Sequence, residues 1–229
     1  SGTFSFPGPY CLGTAHKISA FNIADQTDSP NGIAFNNGGT KMFIVGEGGS
    51  DDKVYEYTLT ENFVTNGTGT GYGISSSATF VDAFDVSSQD NSPQGIAFSN
   101  DGLKMFIVGN HGNDVNEYTL TAAWDVSTAS FVDTFSVKSQ TTLPTGIAFS
   151  KSGTKMFITD TAGSTDTVLE YTLTTAWDVS SASFVDSFSV RGQDRAPTDI
   201  AFSKSGEKMF ITGNENDKVY EYTLSTAWD

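Results

Sequence analysis

One segment of this chain is written four times. Pro93–Leu120 reads PQGIAFSNDGLKMFIVGNHGNDVNEYTL, and its counterparts start at Pro30 (PNGIAFNNGGTKMFIVGEGGSDDKVYEYTL), Pro144 (PTGIAFSKSGTKMFITDTAGSTDTVLEYTL) and Pro197 (PTDIAFSKSGEKMFITGNENDKVYEYTL). In such a repeat each copy is one supersecondary unit that buries its apolar face only against its neighbours. The repeat therefore sets the architecture first, and function has to be sought in what differs between copies.

Each copy reads as strand, turn, strand, loop, strand. Gly-Ile-Ala-Phe is a short first strand, and Asn37-Gly38, Asp101-Gly102, Ser152-Gly153 and Ser205-Gly206 are hairpin turns in which glycine accepts positive φ. Lys-Met-Phe-Ile forms the second strand. It holds all four methionines in one column, Met42, Met105, Met156 and Met209, where a soft thioether is a packing element of the repeat. The third strand is Val-Tyr-Glu-Tyr-Thr-Leu or a variant, followed in three copies by Ala-Trp-Asp at Trp124, Trp177 and Trp228. A fourth strand precedes each proline: residues 80–93, 131–144 and 184–197 align with 17–30, with Gln26, Gln89, Gln140 and Gln193 in register four residues before it. These segments alternate apolar and polar residues, with one phase change that marks a twist or bulge.

Four-stranded repeats spaced by 63, 51 and 53 residues predict an all-β, four-bladed β-propeller of antiparallel blades. The longer first spacing comes from the Gly-, Ser- and Thr-rich insertion Glu61–Ser77, in which Phe63 stands for the expected tryptophan. The last copy stops at Trp228-Asp229, while an unattached fourth strand, Lys17–Ile23, opens the chain. Pairing the two closes the ring, with the N-terminal strand completing the last blade and removing both open edges. Ser1–Ala15 is then an irregular extension and 16–229 the propeller domain. The alternative is a dimer in which two chains exchange this strand in an eight-bladed ring, so the expected state is a monomer or a strand-exchanged dimer.

The blades resemble those of propeller proteins with YVTN, NHL or WD40-like repeats, through P-x-G-I-A-F-S-x-x-G-x-K-M-F and the following E-Y-T-L, over about residues 16–229. The resemblance implies that Gly-Ile-Ala-Phe is the innermost strand around a central channel, where Ala34, Ala97, Ala148 and Ala201 suit a crowded axis. It implies little about activity, since propellers host binding proteins, lectins, lactonases and virion components alike.

Composition narrows the function classes. Twelve Lys and Arg against 27 Asp and Glu give a net charge of −15, which repels nucleic acid and anionic membrane surfaces. No apolar run suits membrane insertion, and the single Cys11 excludes a multi-cysteine metal site. His16 and His111 stand beside no nucleophile motif, and no G-x-S-x-G, H-E-x-x-H or P-loop is present. No cofactor is therefore expected. Calcium is the one ion left open, because the loops after the second strands are acidic, with Asp51, Asp52, Asn113, Asp114, Asp166 and Asp217, although one carboxylate per blade more often caps a turn. Glu56, Glu117, Glu170 and Glu221 lie one strand from Lys41, Lys104, Lys155 and Lys208 in every copy and read as charge pairs.

Two readings of function follow. The first is a non-enzymatic binding or adhesion module that presents blade-specific loops to a protein or glycan, in an extracellular, cell-surface or virion setting. The second is a propeller-type hydrolase or lactonase with one divalent metal. Near-identical blades favour the first and no catalytic residue is assigned. The link before each first strand and the loop after each second strand share one rim, which places the ligand at Glu47, Asn110, His111, Asp160 and Asn214.

Overall fold

The computed structural model describes residues 20–47, 52–59, 78–162 and 165–229. The chain is all-β, with four antiparallel sheets arranged as the four blades of a propeller. The first blade is β1 (Ser29–Phe35), β2 (Lys41–Glu47), β3 (Lys53–Leu59) and β4 (Ala78–Asp85), and the second is β5 (Pro93–Phe98), β6 (Lys104–Gly109), β7 (Asp114–Leu120) and β8 (Ala129–Ser136). The third is β9 (Pro144–Phe149), β10 (Lys155–Asp160), β11 (Thr167–Leu173) and β12 (Ala182–Ser189), and the fourth is β13 (Pro197–Phe202), β14 (Lys208–Gly213) and β15 (Lys218–Thr223). Strands pair in sequence order within each blade. The phase change of the fourth strands is a register shift after Glu56, Glu117 and Glu170.

The hairpin between first and second strands turns on a left-handed glycine: Gly39, Gly102, Gly153 and Gly206 have φ between 64° and 76°. In the first copy it is the second glycine of Asn37-Gly38-Gly39 that adopts this conformation, one place later than the sequence pairing suggests. A side chain at Gly102 would also overlap the indole of Trp124, which lies flat on the turn. Trp124, Trp177 and Trp228 are themselves left-handed, with φ of 61° to 64°; Trp124 meets Phe43 and Phe98 and Trp177 meets Phe106 and Phe149, aromatic rings of two blades each, while Trp228 meets Phe202.

The core lies between blades. Phe43, Val45 and Val54 of the first blade are buried in one cluster with Ile96, Met105, Ile107 and Tyr118 of the second, and the second and third junctions repeat this with Phe106 and Ile147, then Phe157 and Ile200. Each side contributes a pleated apolar face that water cannot reach, so a blade is stable only on its neighbour. The outer strands carry little of this load: Phe80, Val81, Phe131, Val132, Phe184 and Val185 stay exposed. The inner alanines are used in the same junctions. Ala34, Ala97 and Ala148 each pack on the core of the following blade, whereas Ala201 is exposed.

Among the described residues the fourth blade has three strands. Of the predicted closing strand, Lys17–Ser19 lies outside the described residues, as do the 1–15 extension, His16 and the 61–77 insertion. Phe21 and Ile23 lie against the first blade, packed on the cluster of Met42, Tyr57 and Leu59. Phe21 meets Tyr57 edge-on at 5.6 Å, as Phe84 meets Tyr118 in the next blade at 5.5 Å.

Candidate functional site

The rim predicted from the sequence is built by one recurring device. The link before each first strand folds back on the end of the second strand; in the first blade Thr27 fills the space over Gly46, and in the other three a carboxylate is wedged between them. In the second and fourth blades it comes from the link, as Asp90 and Asp194, and the strand ends in Gly109 or Gly213, where any side chain would overlap it. In the third blade the positions are exchanged: the link carries Thr141 and the strand ends in Asp160. All three carboxylates are almost wholly buried.

Each of them organises the loop after the second strand. Asp90 accepts from Ser92 N at 2.7 Å and Gly112 N at 3.2 Å, and Asp194 accepts from the N–H groups of Ala196, Glu215 and Asn216 at 2.9 to 3.2 Å. Asp160 accepts from Ala162 N at 2.8 Å and from the hydroxyls of Thr141, Thr165 and Thr167. Burial raises the Asp194 carboxyl, but the three backbone N–H donors outweigh it and hold the group below the usual carboxylate range.

The five residues expected to meet a ligand share this rim but not one role. Glu47 closes β2 and accepts from the Ser92 hydroxyl at 2.9 Å across the first junction. The N–H groups of Asn110 and Asn214 donate to Ser92 O and Ala196 O, fastening loop to link, with the Asn214 side chain exposed. His111 is exposed, and Asp160 is the buried wedge just described. The recurring glutamines reach a partner the sequence does not indicate: Gln26, Gln89, Gln140 and Gln193 accept long contacts of 3.3 to 3.5 Å from Tyr57, Tyr118, Tyr171 and Tyr222. Burial and the neighbouring Tyr55 push the Tyr57 phenol up to about 12, so it stays a neutral donor.

Inside the rim, the starts of the inner strands carry residues that differ from blade to blade: Asn31, Gln94, Thr145 and Thr198. Asn31 donates to Pro93 O and Thr145 to Pro197 O, both at 2.9 Å, tying consecutive inner strands together. Thr145 also bonds Thr159 at 2.9 Å, and the exposed Thr198 and Thr212 hydroxyls bond each other at 2.8 Å. The next column is glycine in three blades, Gly32, Gly95 and Gly146, because the following inner strand passes too close for a Cβ. The fourth blade breaks it with Asp199.

Asp199 is the most perturbed carboxyl of this mouth. Its Oδ1 stands 2.6 Å from where a Cβ on Gly146 would be, beside Thr159 Oγ1 at 2.8 Å from the same point, and its one hydrogen bond is from Ile200 N at 2.8 Å. Burial pushes its carboxyl up to about 6 against that single donor. A carboxyl held near neutrality among hydroxyls can take and return a proton. The sequence carried this signal, since Asp199 departs from an otherwise constant glycine column, but identity between blades drew attention to what repeats.

The charges around the mouth are satisfied within the protein. Arg191 pairs with Asp166, and Arg195 lies 3.8 Å from Glu215. The Lys41 and Lys104 ammonium groups sit 2.6 Å from Glu56 and Glu117, and each also donates to the Trp124 or Trp177 carbonyl of the following blade. The second oxygens of Glu56 and Glu117 accept Val126 N and Val179 N, both at 3.0 Å. These glutamates are thus structural joints.

Among the described residues no group of three carboxylate, imidazole or thiolate side chains is placed to hold a metal ion. The nearest approach is at the second blade, where the charge of Asp90 helps burial raise Asp114, and where the side-chain oxygens of Asn110 and Asn113 are buried without a donor.

No family model matches this sequence and no curated protein resembles it. Solved propellers do resemble the fold. A candidate 6-phosphogluconolactonase from Bacteroides uniformis matches over 85% of this chain and 50% of its own, with a TM-score of 0.56 and 11% identity. A second, from Bacteroides fragilis, covers the same shares at 0.55 and 12%. The periplasmic gluconolactonase of Pseudomonas aeruginosa matches over 85% of this chain and 49% of its own, at 0.50 and 16% identity. The chain therefore spans about half the length of each of these structures. At such identities the likeness establishes the propeller fold, and no YVTN, NHL or WD40 assignment is added to it. Three of the solved structures that resemble this array are named for lactone hydrolysis, which counts against the expectation of a non-enzymatic adhesion module.

Proposed function

We propose that this chain opens the ring of a neutral, polyhydroxylated lactone at the mouth of its inner strands. The observation that carries the reading is Asp199, a carboxyl raised to about 6 at the one place where the glycine column of the inner strands is broken. Its ionised form would act as the general base that removes a proton from attacking water, and the protonated form would return it to the ring oxygen as the acyl bond breaks. Thr145, Thr198 and Thr212 are hydroxyls of the same mouth that suit a sugar-like ring, and only the fourth blade carries a carboxyl in the glycine column. The lactonase names of the neighbouring structures support the same class. A phosphorylated lactone suits the site less, because the arginines near the rim are paired with carboxylates and the chain carries a net charge of −15.

The test is proton release from glucono-δ-lactone, followed against the uncatalysed rate from pH 5 to 8. Hydrolysis should rise through pH ~6 to a plateau, and Asp199→Asn should lower kcat by about 100-fold or more with little change in KM. No acceleration over buffer, or an Asp199→Asn protein as active as the parent, overturns the reading.

A further inference from the structure

Three asparagines of this chain precede a glycine: Asn31, Asn37 and Asn66. In such a pair the backbone nitrogen that follows the asparagine is free to approach the side-chain carbonyl carbon, because glycine puts no side chain in its way. Asn66-Gly67 lies outside the described residues. The other two share one contact, since each gives its side-chain amide to the second blade: Asn31 Nδ2 donates to Pro93 O at 2.9 Å and Asn37 Nδ2 donates to Asn100 O.

Their backbones differ. Asn31 sits at the register shift of β1, between Pro30, which faces Gly46, and Gly32, which faces Val45. Gly32 is buried, and a Cβ there would stand 2.9 Å from Gln94 O and 3.1 Å from Gly95 Cα, so this peptide cannot turn without moving the inner strands of two blades. Asn37 and Gly38 are instead exposed at the tip of the β1–β2 hairpin. The Gly38 N–H donates to no group among the described residues, and the atoms nearest to a Cβ placed there are Thr40 Oγ1 at 3.7 Å and Asn36 Nδ2 at 3.8 Å. Asn36 fastens the turn below the tip: its carbonyl accepts Gly39 N at 3.0 Å, and its Oδ1 accepts Thr40 N at 2.8 Å and Lys41 N at 3.0 Å. The Asn37-Gly38 peptide therefore has room to rotate while the base holds. Its bond to Asn100 O lies at the surface, where water competes for both partners. One blade later Asn100 Nδ2 donates to Lys151 O in the same way, but the next residue is Asp101, whose carboxylate accepts the Ser99 hydroxyl at 2.6 Å and Leu103 N at 3.0 Å. There the tip carries a side chain, and that side chain is tied down.

We propose that Asn37 is a site of spontaneous conversion to aspartate and isoaspartate, and that the conversion releases the first hairpin from the second blade. The Gly38 nitrogen bonds to Asn37 Cγ, the Cγ–Nδ2 bond breaks, and the proton of that nitrogen leaves with the amide as ammonia. Water then opens the cyclic imide at either carbonyl. Both products put a carboxylate where the amide donor stood, and the Asn100 carbonyl repels it. Water is the only co-reactant.

The test holds the folded full chain in mildly alkaline buffer over days and maps its peptides by mass, with a protein isoaspartate methyltransferase reporting the isoaspartyl product. Asn37 should convert several-fold faster than Asn31 and Asn100. In concentrated urea Asn31 should draw level with Asn37, since the fold no longer distinguishes the two pairs. Gly38→Ala, which the open space accepts, should slow conversion at Asn37 several-fold and leave the far-ultraviolet circular dichroism unchanged. Asn37→Asp, which supplies one product from the start, should lower the urea midpoint below that of the parent. Conversion of Asn31 as fast as Asn37 in the folded chain, an Asn31 still spared in urea, a Gly38→Ala chain that converts no more slowly, or an Asn37→Asp midpoint equal to the parent's would each overturn the proposal.

Discussion

The carboxylate of Asp90 fills the space that a side chain on Gly109 would need, and one blade later the same space is filled from the opposite strand, by Asp160 facing Thr141. The pair is reciprocal: in the last three blades one carboxylate serves each junction of link and loop, supplied from either side. Exchange should therefore work as a unit. Gly109→Asp alone sets two carboxylates in one buried site and should cost about 3 kcal/mol or more. Adding Asp90→Thr rebuilds the arrangement of the third blade and should recover more than half of that. Urea unfolding of the single and double variants measures the coupling, and additive losses would show that the two positions are independent.

Removing the wedge outright tests its role. Asp160→Ala leaves Ala162 N and three threonine hydroxyls without their shared acceptor, with an expected loss of about 3 kcal/mol. His111→Ala, on the exposed turn of the neighbouring blade, should change stability by less than about 0.5 kcal/mol. Similar effects at the two sites, in the same denaturation assay, would place Asp160 among surface residues and refute the wedge.

The glutamate joints predict a gradient along the array. Glu56→Ala and Glu117→Ala each strand a lysine and an N–H from the next blade, and should cost about 2 kcal/mol, allowing for the partial exposure of the lysines. Glu170→Ala should cost less, since that side chain is 14% exposed and bonds no valine N–H, and Glu221→Ala least in the unfolding of a single chain. Equal losses in all four blades would mean that the salt bridge alone matters and the following blade adds nothing.

Asp199 also predicts a dependence of stability on pH. Its folded-state value, about 6, lies above the unfolded carboxylate value of 3.8, so between these the folded chain binds more protons than the unfolded one. The group is therefore neutral and harmless to stability below the unfolded value, and its contribution turns unfavourable as pH rises from 3.8 to about 6 and levels off above that. The excess in Tm of Asp199→Asn over the parent should accordingly grow from pH 4 to pH 7. An excess that is flat, or that shrinks, would show that the carboxyl is not desolvated.

The fold was legible because it is repeated. Four copies of one pattern specify the strands, the turn glycines and the blade count redundantly, so an error in one copy, such as the turn in Asn37-Gly38-Gly39, leaves the architecture untouched. The candidate site was less legible for the same physical reason. A reading tuned to columns that agree treats Asp199 as noise in a glycine column, and nothing in the local pattern says that Asp160 is buried, because its burial comes from Thr141, 19 residues earlier. The alanines of the inner strands were expected at a crowded axis; three of them pack on the next blade, a contact that comes from elsewhere in the sequence.

The joints between blades also have a direction. The lysine and glutamate of the first blade are completed by Trp124 and Val126, which follow the third strand of the second, and the second blade waits likewise for Trp177 and Val179. On a ribosome this imposes an order of maturation. When Leu59 has emerged, Glu56 still lacks its backbone donor, and some 70 more residues must be made before Val126 can provide it. Each blade is thus locked by its successor's arrival, so that a stalled or truncated nascent chain always ends in one unlocked blade, whatever the point of arrest.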